Sequence, residues 1–264
     1  MALVFAAITP HPPFLLPSIG KDAFSELKKT VKAMETLEEE LYTAKPNMIL
    51  VISPHTGLFA ESFTVNAHPT LSSSFEQFGD MLTVKNWIGA PEFAAKVSHA
   101  AKAHHIPLQL ISDEKIDHGA TIPLTYLTEH LPHVKIVPIG YSARSPEDHL
   151  AFGTFLKEQI MESGKRVAVI ASGDMSHCLT KDAPHGLKPA GEAFDKALMQ
   201  AFKNHDASSL ATLDASMVKD AEECSYRSNL ILMGILDGMN YTYVQHAYEH
   251  PFGVGYLTAQ CVVA

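Results

Sequence analysis

Residues 3–13 read L-V-F-A-A-I-T-P-H-P-P, and residues 48–55 read M-I-L-V-I-S-P-H. Each stretch is an apolar run that closes on a proline and a histidine. Unbroken apolar runs of this kind are typical of strands buried on both faces of a parallel sheet. Residues 21–43, which lie between them, carry apolar side chains at helical spacing. The first unit of the chain is therefore predicted to be β-α-β.

The rest of the chain continues this alternation. Further strands are predicted at residues 63–67, 81–84, 108–111, 134–139, 166–171, 241–246 and 253–263, and helices at 91–104, 122–131, 146–163, 186–204 and 225–236. Alternating segments of this kind indicate an α/β fold with a central, mostly parallel or mixed sheet flanked by helices. Nothing in the 264 residues resembles a linker, so residues 1–264 are predicted to form a single domain.

Charge, the length of the first apolar run and the spacing of the cysteines argue against several classes of protein. The net charge is -9 and the acidic residues are scattered, which argues against a nucleic-acid partner. The first apolar run is too short to span a bilayer and lacks the flanks of a signal peptide, so we expect a cytoplasmic protein without a membrane segment. The three cysteines, Cys178, Cys224 and Cys261, lie far apart and form no disulfide framework, so each is a free thiol or a ligand.

Four histidines stand where a ligand site is expected. His11 and His55 close the first two apolar runs, His118 lies in D-H-G-A-T-I-P-L, and His177 follows a third run, V-A-V-I-A-S-G-D-M-S-H, at residues 167–177. Residues just past the carboxyl ends of parallel strands meet in the crevice where open α/β sheets bind ligands. The pattern predicts a metal site or a general-base site.

A third ligand is needed to complete such a metal site. Two imidazoles and one anionic group leave open positions for substrate on non-haem Fe(II), and a similar set serves catalytic Zn. Residues 220–224, D-A-E-E-C, offer a carboxylate in Glu223 and a thiolate in Cys224. The alternative interpretation is that these acidic residues only stabilise the start of a helix. Glu249 and His250 are a second candidate pair.

Several other polar residues each have two possible interpretations. Asp174 precedes His177 by three positions, so it either orients that imidazole or caps a helix. Tyr226 and Arg227 either face the pocket, with Arg227 binding a substrate carboxylate, or form a surface pair. The remaining histidines considered are expected to be solvated: His99, His104, His105, His130, His133, His149, His185 and His205.

With these motifs the chain resembles the LigB family, the catalytic subunits of class III extradiol ring-cleavage dioxygenases, together with its Memo-type relatives. The resemblance extends from I-T-P-H-P-P to G-V-G-Y-L at residues 253–257. It implies a mononuclear metal held by His11 and His55, with His118 and His177 as active-site histidines. LigB enzymes place a glutamate before a hydrophobic helix, and Memo-type proteins place a cysteine there. The register against L-I-L-M-G-I-L at residues 230–236 favours Cys224, with Glu223 one residue away.

The resemblance implies an Fe(II) oxidoreductase that opens a catecholic aromatic diol with O2. His177, oriented by Asp174, would act as general base, and His118 would donate or accept a hydrogen bond at the bound substrate or oxygen species. Zn or Cu is the alternative metal, because a thiolate from Cys224 suits these softer ions. With such a metal the protein would be a hydrolase, a redox enzyme or a Memo-like binding protein.

The expected partner is a second copy of the chain or an AMMECR1-type protein, in the Memo-like case with a radical-SAM-type protein. No G-x-S-x-G, H-E-x-x-H or P-loop motif supports another class of enzyme.

Overall fold

A computed structural model describes residues 2–264. In this part of the chain the strands form one eleven-stranded mixed sheet. The strands are β1 (Leu3–Thr9), β2 (Met48–Ser53), β3 (Phe63–Asn66), β4 (Thr70–Ser73), β5 (Asn86–Gly89), β6 (Leu108–Ile111), β7 (Lys115–Ile116), β8 (Lys135–Gly140), β9 (Val167–Ser172), β10 (Tyr241–Glu249) and β11 (Tyr256–Val263). The predicted α/β fold with a mixed sheet flanked by helices is confirmed.

Helices cover both faces of the sheet. They are α1 (Pro17–Gly20), α2 (Lys28–Ala44), α3 (Pro91–Ala103), α4 (His118–Leu127), α5 (Pro146–Glu162), α6 (Pro189–Asn204), α7 (Ala207–Ala211), α8 (Ala215–Ala221) and α9 (Tyr226–Leu236). Apolar side chains of α2 and α4 pack on one face, and those of α3, α5, α6 and α9 pack on the other. No helix of residues 2–264 has the length and apolar character to cross a membrane.

The topology brings the ends of distant strands to one edge of the sheet. Strands β1, β9, β2 and β8 are parallel neighbours in that order. Their last residues are Thr9, Ser172, Ser53 and Gly140. Because parallel strands end at the same edge, the loops that carry the predicted histidines face each other there.

Helices α5 and α9 cross at a pair of glycines. A Cβ atom placed on Gly153 would overlap the carbonyl oxygen of Ile231 and lie 2.8 Å from the Cα of Gly234. Both contacts are with backbone atoms, so a larger residue at position 153 forces the helices apart. Since α9 begins immediately after residues 223–225, this close crossing also holds the predicted ligand segment near the sheet.

The substitution Gly153→Ala is expected to lower the free energy of unfolding by about 1–3 kcal/mol, the usual cost of overpacking a core. Urea unfolding followed by circular dichroism measures this loss. Ala151→Ser, at an exposed position of the same helix, is the control and should change stability by less than about 0.5 kcal/mol. A Gly153→Ala protein more stable than wild type, as helix propensity alone would give, would contradict the close crossing.

The strand predicted at residues 81–84 is wrong. The Asp80 carboxylate accepts hydrogen bonds from the backbone N–H groups of Leu82 and Thr83, both at 2.9 Å, so a turn takes up donors that a strand would need. Leu82 is 93% exposed. The strand in this region is β5, which begins at Asn86.

Two other expectations need correction. The helix predicted at residues 122–131 begins four residues earlier, because the Asp117 side chain accepts a hydrogen bond from the N–H of Ala120 and caps α4 at His118. Pro123 therefore lies inside the helix. His149, expected to be solvated, is fully buried, with its Nδ1 2.7 Å from the carbonyl oxygen of Ser145.

Candidate metal centre

Three imidazoles converge at the carboxyl edge of the sheet. His11, His55 and His118 each present a ring nitrogen, and these nitrogens all lie within 4.8 Å of one another. The Nε2 atoms of His11 and His55 are 3.3 Å apart. In the described part of the chain this is the one group of three His, Cys, Asp or Glu side chains whose ligand atoms lie close enough together for one metal ion.

The buried His11 ring is held in place through Nδ1, the ring nitrogen that does not face His55. Its Nδ1 lies 2.9 Å from the hydroxyl oxygen of Ser172, the last residue of β9. Its backbone N–H donates to the Asp174 carboxylate at 2.8 Å. Burial lowers the pKa of His11 well below its usual value. The ring is therefore neutral at pH 7 and keeps a lone pair for a metal.

Asp117 holds the His55 loop against the start of α4. Its carboxylate accepts hydrogen bonds from the hydroxyl groups of Ser53 and Thr56, which flank His55. Because Asp117 directly precedes His118, these two hydrogen bonds bring the His55 and His118 segments together. Burial lowers the pKa of the His55 ring as well.

His118 stacks on His55. The two ring centroids are 4.4 Å apart and the planes differ by 23°. Nitrogen lone pairs lie in the ring plane, so nearly parallel rings direct them side by side and not at one ion. The His11 ring, at 74° to that of His55, suits a shared ion better. Burial lowers the pKa of His118 to about 4, so this ring is neutral at pH 7.

The two candidates for the third ligand have different surroundings. The Sγ of Cys224 lies 3.6 Å from His11 Nε2 and accepts a hydrogen bond from the N–H of Asp174 at 3.2 Å. The Glu223 carboxylate instead accepts from the N–H of Tyr226, at 2.5 Å, in the first turn of α9. Burial raises the pKa of Glu223 to about 7 and that of the Cys224 thiol well above its usual value.

Asp174 and His177 lie beside the cluster but do not form the expected pair. The Asp174 carboxylate bonds to the His11 backbone, and no hydrogen bond joins it to His177 in residues 2–264. The half-buried His177 ring has an Nδ1 without a hydrogen-bond partner in the structure. Burial lowers the pKa of His177. Its backbone N–H donates to Ala221, which ties the His177 loop to the Cys224 segment.

One family model matches nearly the whole chain. The model of the catalytic LigB subunit of aromatic ring-opening dioxygenases matches residues 5–259. The chain belongs to the LigB family. A protein of Clostridium acetobutylicum is 30% identical over 258 residues, which are 94% of this chain and 55% of that protein. The chain thus spans about half the length of this relative.

The chain is also similar to three other proteins, one of which is named as an enzyme. A 4,5-DOPA dioxygenase extradiol of Mirabilis jalapa is 26% identical over 69% of each chain. A MEMO1 family protein of Methanosarcina mazei is 24% identical over 76% of this chain and 75% of that one. The crystal structure of an uncharacterized protein from Escherichia coli K12 has the same fold, with a TM-score of 0.66, 17% identity and coverage of 97% of this chain and 99% of that chain.

A cavity of about 430 Å³ opens beside the LigB histidine cluster. His55 and His118 line one wall of it, and the other walls are mostly polar. Those walls include Asn66, Ser74, Gln77, Asp113 and Lys115. The cavity gives a small ligand access to the rings of His55 and His118.

Sequence reasoning missed three residues at this edge. Ser172 and Asp117 position the histidines, and Tyr141 directly follows β8. The Arg227 guanidinium lies 5.7 Å from the centre of the Tyr141 ring. Tyr141 follows an apolar run as His11 and His55 do, and that shared position was the signal available in the sequence. The alternative ligand Glu249 is engaged elsewhere, since its carboxylate accepts two hydrogen bonds from Thr30.

Proposed function

We propose that this protein is a metal-dependent oxidoreductase of the extradiol type, which uses Fe(II) and O2 to open the ring of a catecholic aromatic compound. The separation of 3.3 Å between His11 Nε2 and His55 Nε2 carries the proposal. Two ligand nitrogens on one ion, with bonds of about 2.1 Å, stand about 3.0 Å apart at octahedral angles and about 3.4 Å apart at tetrahedral ones, so the observed separation fits one shared ion. When no metal is bound, one Nε2–H can donate to the other Nε2 across this gap, and a bound ion would take the place of that proton.

The residues at the site suit the proton handling that this reaction needs. His177 is neutral at pH 7 because its pKa is lowered, so it is ready to accept a proton from a substrate hydroxyl. His118 lies over His55 and lines the cavity, where its ring can hydrogen-bond the second hydroxyl. A bound Fe(II) would supply chelation of both substrate oxygens and the electronic path to O2.

The contact of Cys224 with His11 supports a second candidate, a Memo-like protein that binds Zn or Cu through a thiolate. Its Sγ is 3.6 Å from His11 Nε2, whereas the Glu223 carboxylate is engaged with a helix N–H. A thiolate ligand favours softer ions than the carboxylate does. In this case the site serves hydrolysis, redox chemistry or a non-catalytic role with an AMMECR1-type partner.

Oxygen uptake distinguishes the two candidates. Protein purified without oxygen and loaded with Fe(II) is expected to consume one O2 per molecule of 4-methylcatechol and to form an absorbing ring-opened product. His177→Asn should lower kcat by about 10²–10⁴-fold, the usual contribution of a general base. His99→Asn, at an exposed position of α3, is the control and should keep wild-type kcat. A protein that binds Fe(II) but consumes no O2 with catechols would refute the dioxygenase proposal.

A further inference from the structure

A proline inside α4 leaves one helix carbonyl without its usual donor. In an α-helix the N–H of residue 123 would donate to the carbonyl of residue 119. Residue 123 is a proline, which has no N–H. The Ser172 hydroxyl lies 2.5 Å from that Gly119 carbonyl oxygen. Because a carbonyl oxygen can only accept, the hydroxyl proton of Ser172 points at Gly119.

This contact determines which nitrogen of His11 carries the proton. A serine hydroxyl has one proton, and here it is already donated. Toward His11 Nδ1, 2.9 Å away, the Ser172 oxygen can therefore only accept. The Nδ1 atom must carry the single proton of the neutral ring, and Nε2 must carry the lone pair. Nε2 is the nitrogen that faces His55 and Cys224.

We propose that Ser172 is a positioning residue that holds His11 in the Nδ1–H tautomer, ready for metal binding before any metal arrives. Pro123 contributes by leaving the Gly119 carbonyl open to this hydroxyl. The link to metal binding rests on the proposed function. The tautomer itself does not, since it follows from hydrogen bonds of the metal-free chain.

Loss of the hydroxyl removes this constraint. Without it, Nδ1–H has no acceptor in a buried position, and a proton on Nε2 finds one at His55 Nε2 or Cys224 Sγ. That second tautomer has no lone pair directed into the site. Metal binding must then first move the proton, and affinity falls by about 10–100-fold, the usual effect of removing such a hydrogen bond from a ligand histidine.

The buried Ser228 provides a matched control. Its hydroxyl lies 2.9 Å from the backbone carbonyl oxygens of both Ser172 and Ser225, in the same part of the core, and makes no hydrogen bond with His11 in the described residues. Ser172→Ala and Ser228→Ala each delete one buried hydroxyl from neighbouring positions. A purely structural role of Ser172 would make the two variants behave alike.

The first measurement is the nitrogen NMR spectrum of metal-free protein labelled at histidine, with the His11 signals identified by their absence in His11→Gln. Wild type and Ser228→Ala are expected to show a protonated Nδ1 and a bare Nε2. Ser172→Ala should show a substantial fraction of the opposite tautomer. A wild-type His11 ring with its proton on Nε2 would overturn the proposal, and this outcome requires no Ser172 variant to fold.

The second measurement is the Kd for Zn(II) alone, taken by competition with a chelator. Ser172→Ala should bind about 10–100-fold more weakly than wild type, and Ser228→Ala within about threefold. Equal affinities and tautomers in the two variants would refute the role of Ser172. If wild type binds no metal, the proposed function fails, whereas the NMR result still tests the tautomer.

Discussion

Substitution of His11 by glutamine is expected to abolish metal binding while leaving the fold intact. Glutamine fills a similar volume, and its side-chain amide can still contact the Ser172 hydroxyl, which contacts the His11 ring in the wild type. It supplies no imidazole lone pair to the ion. His11 Nε2 lies 3.3 Å from His55 Nε2 and 3.6 Å from Cys224 Sγ, so its loss removes the centre of the ligand set.

The loss of affinity for Zn(II) or Fe(II) should exceed the roughly 100-fold effect of losing an outer hydrogen bond. Calorimetric titration under argon measures the affinity, and elemental analysis measures the bound metal. His99→Gln, at an exposed position of α3, is the control and should bind like wild type. A His11→Gln protein with wild-type stoichiometry and affinity would remove the basis for the site.

The pH dependence of metal affinity is expected to reveal whether Cys224 is a ligand. Burial raises the pKa of the Cys224 thiol well above its usual value, so the thiol must lose a proton when it binds a metal. His11 and His55 have lowered pKa values and are already neutral near pH 7, so they release none. Each proton released makes the affinity rise about tenfold per pH unit.

Wild-type affinity for Zn(II) should therefore rise with pH between pH 6.5 and 8 more steeply than that of Cys224→Ala, by about one further tenfold factor per pH unit. Proton loss from metal-bound water or from nearby carboxylates affects both proteins and cancels in the comparison. Glu223→Gln, which keeps an oxygen for the Tyr226 N–H, should retain the wild-type slope. Equal slopes in wild type and Cys224→Ala, with a flatter one in Glu223→Gln, would make Glu223 the ligand.

The strands that carry the site could be predicted because they are buried on both faces. The runs ending at His11 and His55 contain only apolar and small residues, and such runs have few structural alternatives. Parallel pairing of β1, β9 and β2 then places their loops at one edge. The meeting of His11 with His55 thus follows from local pattern and topology together.

Residues at the sheet margin were harder to predict. The run M-L-T-V at residues 81–84 has strand-like composition, but the Asp80 side chain bonds the N–H groups of Leu82 and Thr83. The predicted start of α4 is four residues too late because the Asp117 cap acts through tertiary contacts with Ser53 and Thr56 as well as through Ala120. Periodicity carries no information on such side-chain hydrogen bonds.

The sequence also could not predict which side chains of the site contact each other. Spacing suggested that Asp174 orients His177, but the fold turns this carboxylate toward the His11 backbone, 163 residues away. The register against residues 230–236 favours Cys224 as the third ligand, but from the sequence alone Glu223, one residue away, stays an alternative. The first turn of α9 separates them, because the Glu223 carboxylate bonds to Tyr226 N–H while Cys224 Sγ contacts His11.

Anomalous diffraction from crystals loaded with Co(II) tests the shared metal site most directly. The expected result is one strong peak at the cobalt edge, about 2.0–2.3 Å from the Nε2 atoms of both His11 and His55. A cobalt peak bound to other residues, or crystals that take up no cobalt although both rings face each other, would contradict a metal centre at this edge of the sheet.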